Sequence, residues 1–561
     1  MTDRIPLRPP DQVMKLARMG SFHQSRLSFM RQLLRRLARE NWRFETNVFD
    51  IDAHGVGHAV YTVHGPERSY SLIAFAHDLP PEARSDRVIA TAWDATFVLF
   101  DGVPDKADID RLRANVPLQE EGRISGSELT LSRANRSVRL WDHVVNRLAA
   151  GQQPDPERVD EVGYLMRTTA VYGSGKFGAA DRDMISDRPE CHAPFQVEML
   201  TVYLIRSFVM DLVEHMARAK APDTAVTLIP QMRRRFGIGN STGLGMAPFL
   251  VTHPALLHAW IAAREEALSR VRSMLQVSRA QAEAFRTACS RARQHAHGWT
   301  SAHPLQIAKL DALRADMDQL CAHLDHVDLT GTAPWNALYL WAEETLSLEG
   351  QEMLVSLLLE PHGALVDDLC ATMAADENAN WRIDGTMTTT ALRAILEDAY
   401  AWALTIDWAA EDRQARVWYV SENKLEPRLG ERFDEPLDLY EQPLCPGRDA
   451  ARLHADLTTD EPLAAFLLRH PEHRHMARRA QIAARLPYSE IRDNTIDAAM
   501  LPIDMLRMKL SFFGASEFDP RSDRWVRITM FQHAPFPGDL ATDTDDWGLP
   551  PLAQDYLGAA E

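Results

Sequence analysis

The stretch from residue 194 to 219 sets the first constraint on what this chain can fold into. Phe195, Met199, Leu200, Val202, Leu204, Ile205, Phe208, Val209, Leu212 and Val213 cover nearly every side of a helix. Such a helix has no face to give to water, so other elements must enclose it. Arg206 interrupts the run and Asp211 and Glu214 follow it. The run is therefore far short of the ~20 apolar residues a membrane span requires. The sequence predicts a buried central helix, with 195–213 in the core of a helical bundle.

Helical spacing of apolar residues recurs at 128–150, 156–171, 254–298, 305–326, 336–359 and 388–410. Between Trp42 and Phe100 the period shortens to alternation. There 44–52, 57–63, 70–76 and 87–100 read as strands, separated by turn clusters such as Ala53-His54-Gly55 and His64-Gly65-Pro66. The connections are too short for helical crossovers, which predicts an antiparallel meander. Strand-like stretches return at 415–420, 510–513 and 525–531. The expected fold class is mainly α, with a small antiparallel β-sheet near the N-terminus and a minor mixed α+β C-terminal part. The expected units are an N-terminal helical arm (1–40), the β-meander (41–103), a helical core domain (104–410) and a C-terminal α+β region (411–561). The last contains a proline- and acid-rich extended segment at 431–460. Residues 11–40 read as a basic amphipathic helix, suited either to a membrane or nucleic acid, or to packing on the body or a second subunit.

Composition narrows the function classes. The 561 residues carry 61 basic and 79 acidic side chains, a net charge of −18, which argues against a nucleic-acid coat. The first twenty residues hold charge and proline where a secretory signal needs an apolar core. Five cysteines (Cys191, Cys289, Cys321, Cys370 and Cys445) form no C-x-x-C pair. A disulfide framework is not expected, and a reducing cytoplasm is.

Two glycine-rich segments carry the candidate chemistry. Gly237-Ile238-Gly239-Asn240-Ser241-Thr242-Gly243-Leu244-Gly245 follows Arg233-Arg234-Arg235. Read as a loop, it offers unobstructed amides and the side chains of Asn240, Ser241 and Thr242 to a phosphate or carboxylate. Consecutive arginines on a helix point about 100° apart, so only one or two of the three can face such a ligand, and Arg235 is the one assigned. Tyr172-Gly173-Ser174-Gly175-Lys176 supplies a phenol, a hydroxyl and an ammonium within five residues, the parts of an acid–base site. A third group, Ser421, Lys424 and Arg428, sits where a strand is expected to end. Gly239, Gly243 and Gly245, with Tyr172 and Lys176, match spacings that short-chain dehydrogenases use. The order is reversed, and Pro230 with the arginine run removes the strand–turn–helix context, so that resemblance is rejected.

Histidines invite a metal reading. His470, His473 and His475 cluster, and His323/His326 and His295/His297 form pairs. The H-E-x-x-H pattern is absent and arginines flank the cluster, so no metal is assigned and no organic cofactor is specified. The functional expectation is a cytoplasmic lyase or transferase acting on a small anionic metabolite. Tyr172, Lys176 and Ser174 would be catalytic, and Gly239, Asn240, Ser241, Thr242, Gly243, Gly245, Arg235, Ser421, Lys424 and Arg428 substrate-binding. The expected partners are that substrate and further copies of the chain, without nucleic acid or membrane. The alternative is a non-catalytic assembly or ligand-sensing protein.

Overall fold

The structure is a computed structural model that describes residues 4–83, 92–117, 125–169, 178–179, 185, 187–243, 254–301, 304–373, 382–409, 420–421, 424–425, 446–492, 506–516 and 525–540. Its strands are β1 (Arg43–Ile51), β2 (Gly57–His64), β3 (Ser69–Ala76), β4 (Ala95–Asp101), β5 (Glu128–Arg136), β6 (Tyr164–Thr169), β7 (Gly178–Ala179), β8 (Gly237–Gly243), β9 (Val420–Ser421), β10 (Lys424–Leu425) and β11 (Trp525–Met530). Beside the short helices Pro10–Val13 and Pro156–Asp160, the described residues of the first half hold α1 (Phe29–Arg39), α2 (Lys106–Asn115), α3 (Trp141–Ala149), α4 (Gln196–Lys220) and α5 (Pro230–Arg234). Then follow α6 (Pro254–Arg272), α7 (Arg279–Gly298), α8 (Pro304–Leu324), α9 (Pro334–Thr345), α10 (Leu348–Leu358) and α11 (Gly363–Cys370). After these, beside the one-turn helix Ala401–Leu404, the described residues hold α12 (Thr389–Ala399), α13 (Pro446–Asp456), α14 (Leu463–Arg469) and α15 (Arg474–Arg485).

α4 is the central helix. From Gln196 to Met210 every residue is buried, and the helix packs on β2 to β5, β7 and β8. Its enclosure comes from a sheet as well as from helices, with α3 and α1 packed on it. The strand order is β1-β2-β3-β4-β5-β6-β8-β11, with β7 beside β5, and the sheet curls into a half-barrel. Neighbours are antiparallel except β6 and β8, which run parallel. The period-2 alternation of a strand divides the side chains between two faces. Tyr61, Val63, Leu72, Phe97 and Leu99 join the core that holds α4. Val60, Ile73, Phe75, Val98 and Phe100 form a second layer with Leu112 of α2 and Val116 just beyond it.

This overturns the expected fold class of mainly α with a small antiparallel β-sheet near the N-terminus and a minor mixed α+β C-terminal part. The sheet is large and mixed, and β11 of the C-terminal region completes it. The physical reasons lie in three strands. β5 and β6 fall inside the segments 128–150 and 156–171 that carry helical spacing. β5 is covered on both faces, so Glu128, Thr130 and Ser132 are as buried as Leu129 and Leu131 and the alternation disappears. The third strand, β8, was expected as a glycine loop. A Cβ on Gly237 would lie 2.3 Å from the Met530 carbonyl oxygen, and one on Gly239 2.5 Å from the Tyr164 ring. Those glycines let β11 and the Tyr164 ring approach a strand, not a ligand approach a loop.

The N-terminal residues are part of the core. Arg8 Nε and Nη2 donate to Glu265 on α6, both at 2.8 Å, and Nη1 donates to Glu352 on α10 at 2.8 Å. Arg18 reaches Glu352 at 3.0 Å and Arg264 reaches Glu265 at 2.9 Å. Burial alone would raise the Glu352 carboxyl, but Arg8 and Arg264 more than offset it and hold the group at about 2. Residues 11–40, expected as one helix, contain two short turns and α1. Segment 510–513, expected as a strand, lies in a π-helix, Lys509–Phe513.

α12 to α15 share a separate apolar core, with Leu392, Leu396, Leu453, Phe466 and Ala477 among its members. The turns that open α12 and α14 are joined by an antiparallel bridge between Thr388 and Pro462. Residues 446–456 of the expected extended segment are helical, as α13. Among the described residues, no helix is long and apolar enough to cross a membrane.

Candidate functional site at the seam of the half-barrel

The curl of the sheet leaves its two edge strands, β1 and β11, unjoined. Tyr203 of α4 fills the gap between them, with its ring 6.0 Å from Phe44 of β1 and 5.3 Å from Phe531 after β11. Its hydroxyl donates to the Pro535 carbonyl at 3.0 Å. Beside this bridge lies a cavity of about 420 Å³, within the ordinary range for small-molecule sites. Phe44, Leu204, Leu228 and Phe536 contribute its apolar wall.

The polar floor comes from three elements. Tyr61 on β2 donates its hydroxyl to Asp211 Oδ2 at 2.8 Å, and Arg233 on α5 donates to Asp211 Oδ1 at 2.7 Å. Arg233 also lies 3.6 Å from Glu214, whose carboxylate accepts the Leu228 amide at 3.1 Å. Burial, and then the Asp211 charge, pushes the Tyr61 phenol well above its usual range, so it holds its proton. Burial likewise raises the Glu214 carboxyl. Ser207 on α4 lines the same cavity, and its buried hydroxyl has no hydrogen-bond partner among the described residues. Glu45, Asp211 and Asp539 against Arg233 give the lining a net negative charge.

Arg206 fixes the ground beneath this site. Its guanidinium donates to the carbonyls of Phe236 at 2.7 Å, Ala534 at 2.9 Å and Arg234 at 3.3 Å. It also stacks 3.8 Å from the Phe536 ring. Burial lowers its basicity, yet a guanidinium keeps its proton in a protein. The single cation within the apolar run thus ties α5 and the segment after β11 to α4.

The residues singled out from the sequence fall elsewhere. Tyr172, Ser174, Lys176, Gly245 and Arg428 lie outside the described residues. Gly239 sits under the Tyr164 ring, and Asn240 is buried, donating to the Thr168 carbonyl at 3.4 Å. The backbones of Ser241, Thr242 and Gly243 pair with Arg527, Val526 and Trp525 of β11, and Ser421 pairs with Lys424. Arg235 turns to Asp160, 2.5 Å away, and Arg233 is the member of the run that lines a cavity. Tyr61, Ser207 and Asp211 were missed. For Ser207 and Asp211 the one sequence signal was a polar position on a helix otherwise apolar nearly all round; Tyr61, on β2, had none.

The histidines have structural neighbours. His473 meets Asp456 at 2.8 Å, and His323 stacks on Trp341 at 3.8 Å. His295 meets the Trp299 ring edge-on at 4.6 Å, and burial lowers it to about 3. Asp384 accepts the Thr386 amide in a turn containing Gly385, but Ala391 stands where a calcium loop would carry its bidentate glutamate. Among the described residues, no three potential ligands come together as a metal site.

Fold and site together define a curled mixed sheet wrapped on a helix, with a cavity where the curl stays open. No protein-family model, curated protein or solved structure matches this chain.

Proposed function

We propose that this chain binds a small molecule in the seam cavity, one that presents an ammonium or hydroxyl donor at one end and an apolar body at the other. The observation that carries the reading is the Ser207 hydroxyl, buried and unpartnered beside the Tyr61–Asp211–Arg233 chain. A buried polar group left unmatched costs about 1–3 kcal/mol, which a ligand's polar end recovers. The acidic lining favours a cation at that end, and Phe44, Leu204 and Phe536 favour an apolar remainder.

The reading belongs to the ligand-sensing class. Tyr61 keeps its proton and Asp211 is engaged by two donors, so neither supports acid–base chemistry at neutral pH. The lyase or transferase reading rests on Tyr172 and Lys176, and the charge of this cavity lends an anionic substrate no support. Free thiols at Cys191, Cys289, Cys321 and Cys370 support a reducing compartment, the cytoplasm. The open edge of β1 supports self-association.

Calorimetric titration with phenethylamine and with hydrocinnamate, two molecules of similar body and opposite charge, tests the reading. The amine is expected to bind, the carboxylate to bind much more weakly, and Asp211→Asn to weaken the amine by about tenfold. Equal binding of the two, or preference for the carboxylate, overturns it.

A further inference from the structure

A second site lies at the N-terminal end of α4, and its chemistry is opposite. Gln32, Arg35, Arg36 and Arg39 lie on one stripe of α1, because residues three and four apart share a helix face. The stripe borders a cleft of about 30 Å³, closed by Gln196 at the start of α4 and by Asp367 and Cys370 on α11. Arg35 is the innermost of its guanidinium groups, with 12% of its side chain exposed and its Nε 2.8 Å from Asp367. Its Nη2 donates to the Arg26 carbonyl at 2.8 Å. Its Nη1 is buried with no hydrogen-bond partner among the described residues.

Arg31 takes Glu360 through two bonds at 2.8 and 2.9 Å, and Arg26 shares Asp367 with Arg35 at 3.6 Å. Among the described residues, the carboxylate that Arg36 and Arg39 meet is Glu40, at 3.9 and 3.7 Å, and Arg36 also donates to the Pro189 carbonyl at 2.5 Å. The guanidinium groups of Arg31, Arg35, Arg36 and Arg39 thus face, among the described residues, the carboxylates of Glu40, Glu360 and Asp367. Burial lowers Arg35 to about 10, as expected where desolvation outweighs the counter-charge.

We propose that this cleft binds a phosphoryl oxyanion, with Arg35 Nη1 at its floor and Arg36 and Arg39 closing over it. A phosphate monoester carries about −1.5 to −2 charge near neutral pH, which suits a cleft lined by three guanidinium groups. Guanidinium forks suit its oxygens. The cleft is too small for a base or sugar, so the rest of any larger ligand lies outside, past Arg39, whose side chain is 61% exposed. The inference is independent of the seam cavity, since the two sites share no residue.

Titration of the full chain with inorganic phosphate at constant ionic strength, followed by calorimetry, tests the proposal. Arg39→Gln removes a rim side chain that the fold does not need, and is expected to weaken phosphate binding by about tenfold. Arg39→Lys keeps the charge and loses the fork, so it falls between. The source of the group is read in a second arm, pelleting with phosphatidylcholine vesicles that do or do not contain a phosphatidylinositol phosphate. Pelleting that needs the phosphoinositide and is lost in Arg39→Gln identifies a lipid headgroup. Saturable phosphate binding without pelleting identifies a soluble phosphate. Absence of saturable phosphate binding, or equal affinity in Arg39→Gln, Arg36→Gln and the unaltered chain, overturns the proposal.

Discussion

Replacing Arg206 by methionine keeps most of the side chain's length and removes every donor. In the folded protein the guanidinium bonds the carbonyls of Phe236, Ala534, Pro535 and Arg234. Two of these retain another donor: the Arg234 carbonyl accepts the His533 amide at 2.7 Å, and Pro535 accepts the Tyr203 hydroxyl at 3.0 Å. The substitution therefore strips Phe236 and Ala534 of the guanidinium donor. Each buried acceptor left unmatched costs about 1–3 kcal/mol. Relief from holding a desolvated cation offsets part of that, because buried charges carry a penalty of their own. The net expectation is a loss of about 2–4 kcal/mol. Urea unfolding followed by tryptophan fluorescence measures it as a fall in the transition midpoint at unchanged slope. A change below about 0.5 kcal/mol, the level of an ordinary surface substitution, refutes the reasoning that Arg206 pins α5 and the post-β11 segment to α4.

Gly239→Ala places a methyl group 2.5 Å from the buried Tyr164 ring. It should lower stability by about 1–3 kcal/mol, seen as a reduced melting temperature, since an overpacked interior cannot yield. Tyr61→Phe removes the hydroxyl bond to Asp211 but leaves Arg233 in place, so a smaller loss of about 1 kcal/mol is expected in the same assay. The folded Glu352 carboxyl is depressed from 4.5 to about 2, so its contribution is present above pH 4.5 and is lost as pH falls toward 2. Protection factors of the amides in residues 5–19, corrected for the intrinsic pH dependence of exchange, should therefore fall within that window and stay level between neutral pH and the upper limit.

Some of this architecture was legible in the sequence. The apolar circumference of α4 announced a buried helix, and the alternation from Phe44 to Phe100 announced the strands that became β1 to β4. The rest of the sheet was hidden because pattern reading depends on one wet face and one dry face. β5 has no wet face, and β8 owes its glycines to the Tyr164 ring and to Met530, neither of which is near it in sequence. Of the arginine run, Arg233 lines the seam cavity, while the more deeply buried Arg235, assigned to a ligand from the sequence, pairs with Asp160. Tyr61 and Asp211 are separated by 150 positions, and only the closure of the sheet on α4 brings them to hydrogen-bonding distance. Ser207 was one small polar residue in an apolar run. Its significance came from the missing partner, which no sequence pattern records.

The central claim is that the seam between β1 and the segment after β11 receives the cationic end of a small amphipathic molecule. A crystal structure of the full chain soaked with phenethylamine tests it most directly. The account predicts density in the seam cavity, with the ammonium within about 3 Å of the Ser207 hydroxyl or the Asp211 carboxylate and the ring against Phe44 and Phe536. An empty cavity at saturating amine, or a ring at the polar floor with the ammonium pointing to solvent, contradicts it.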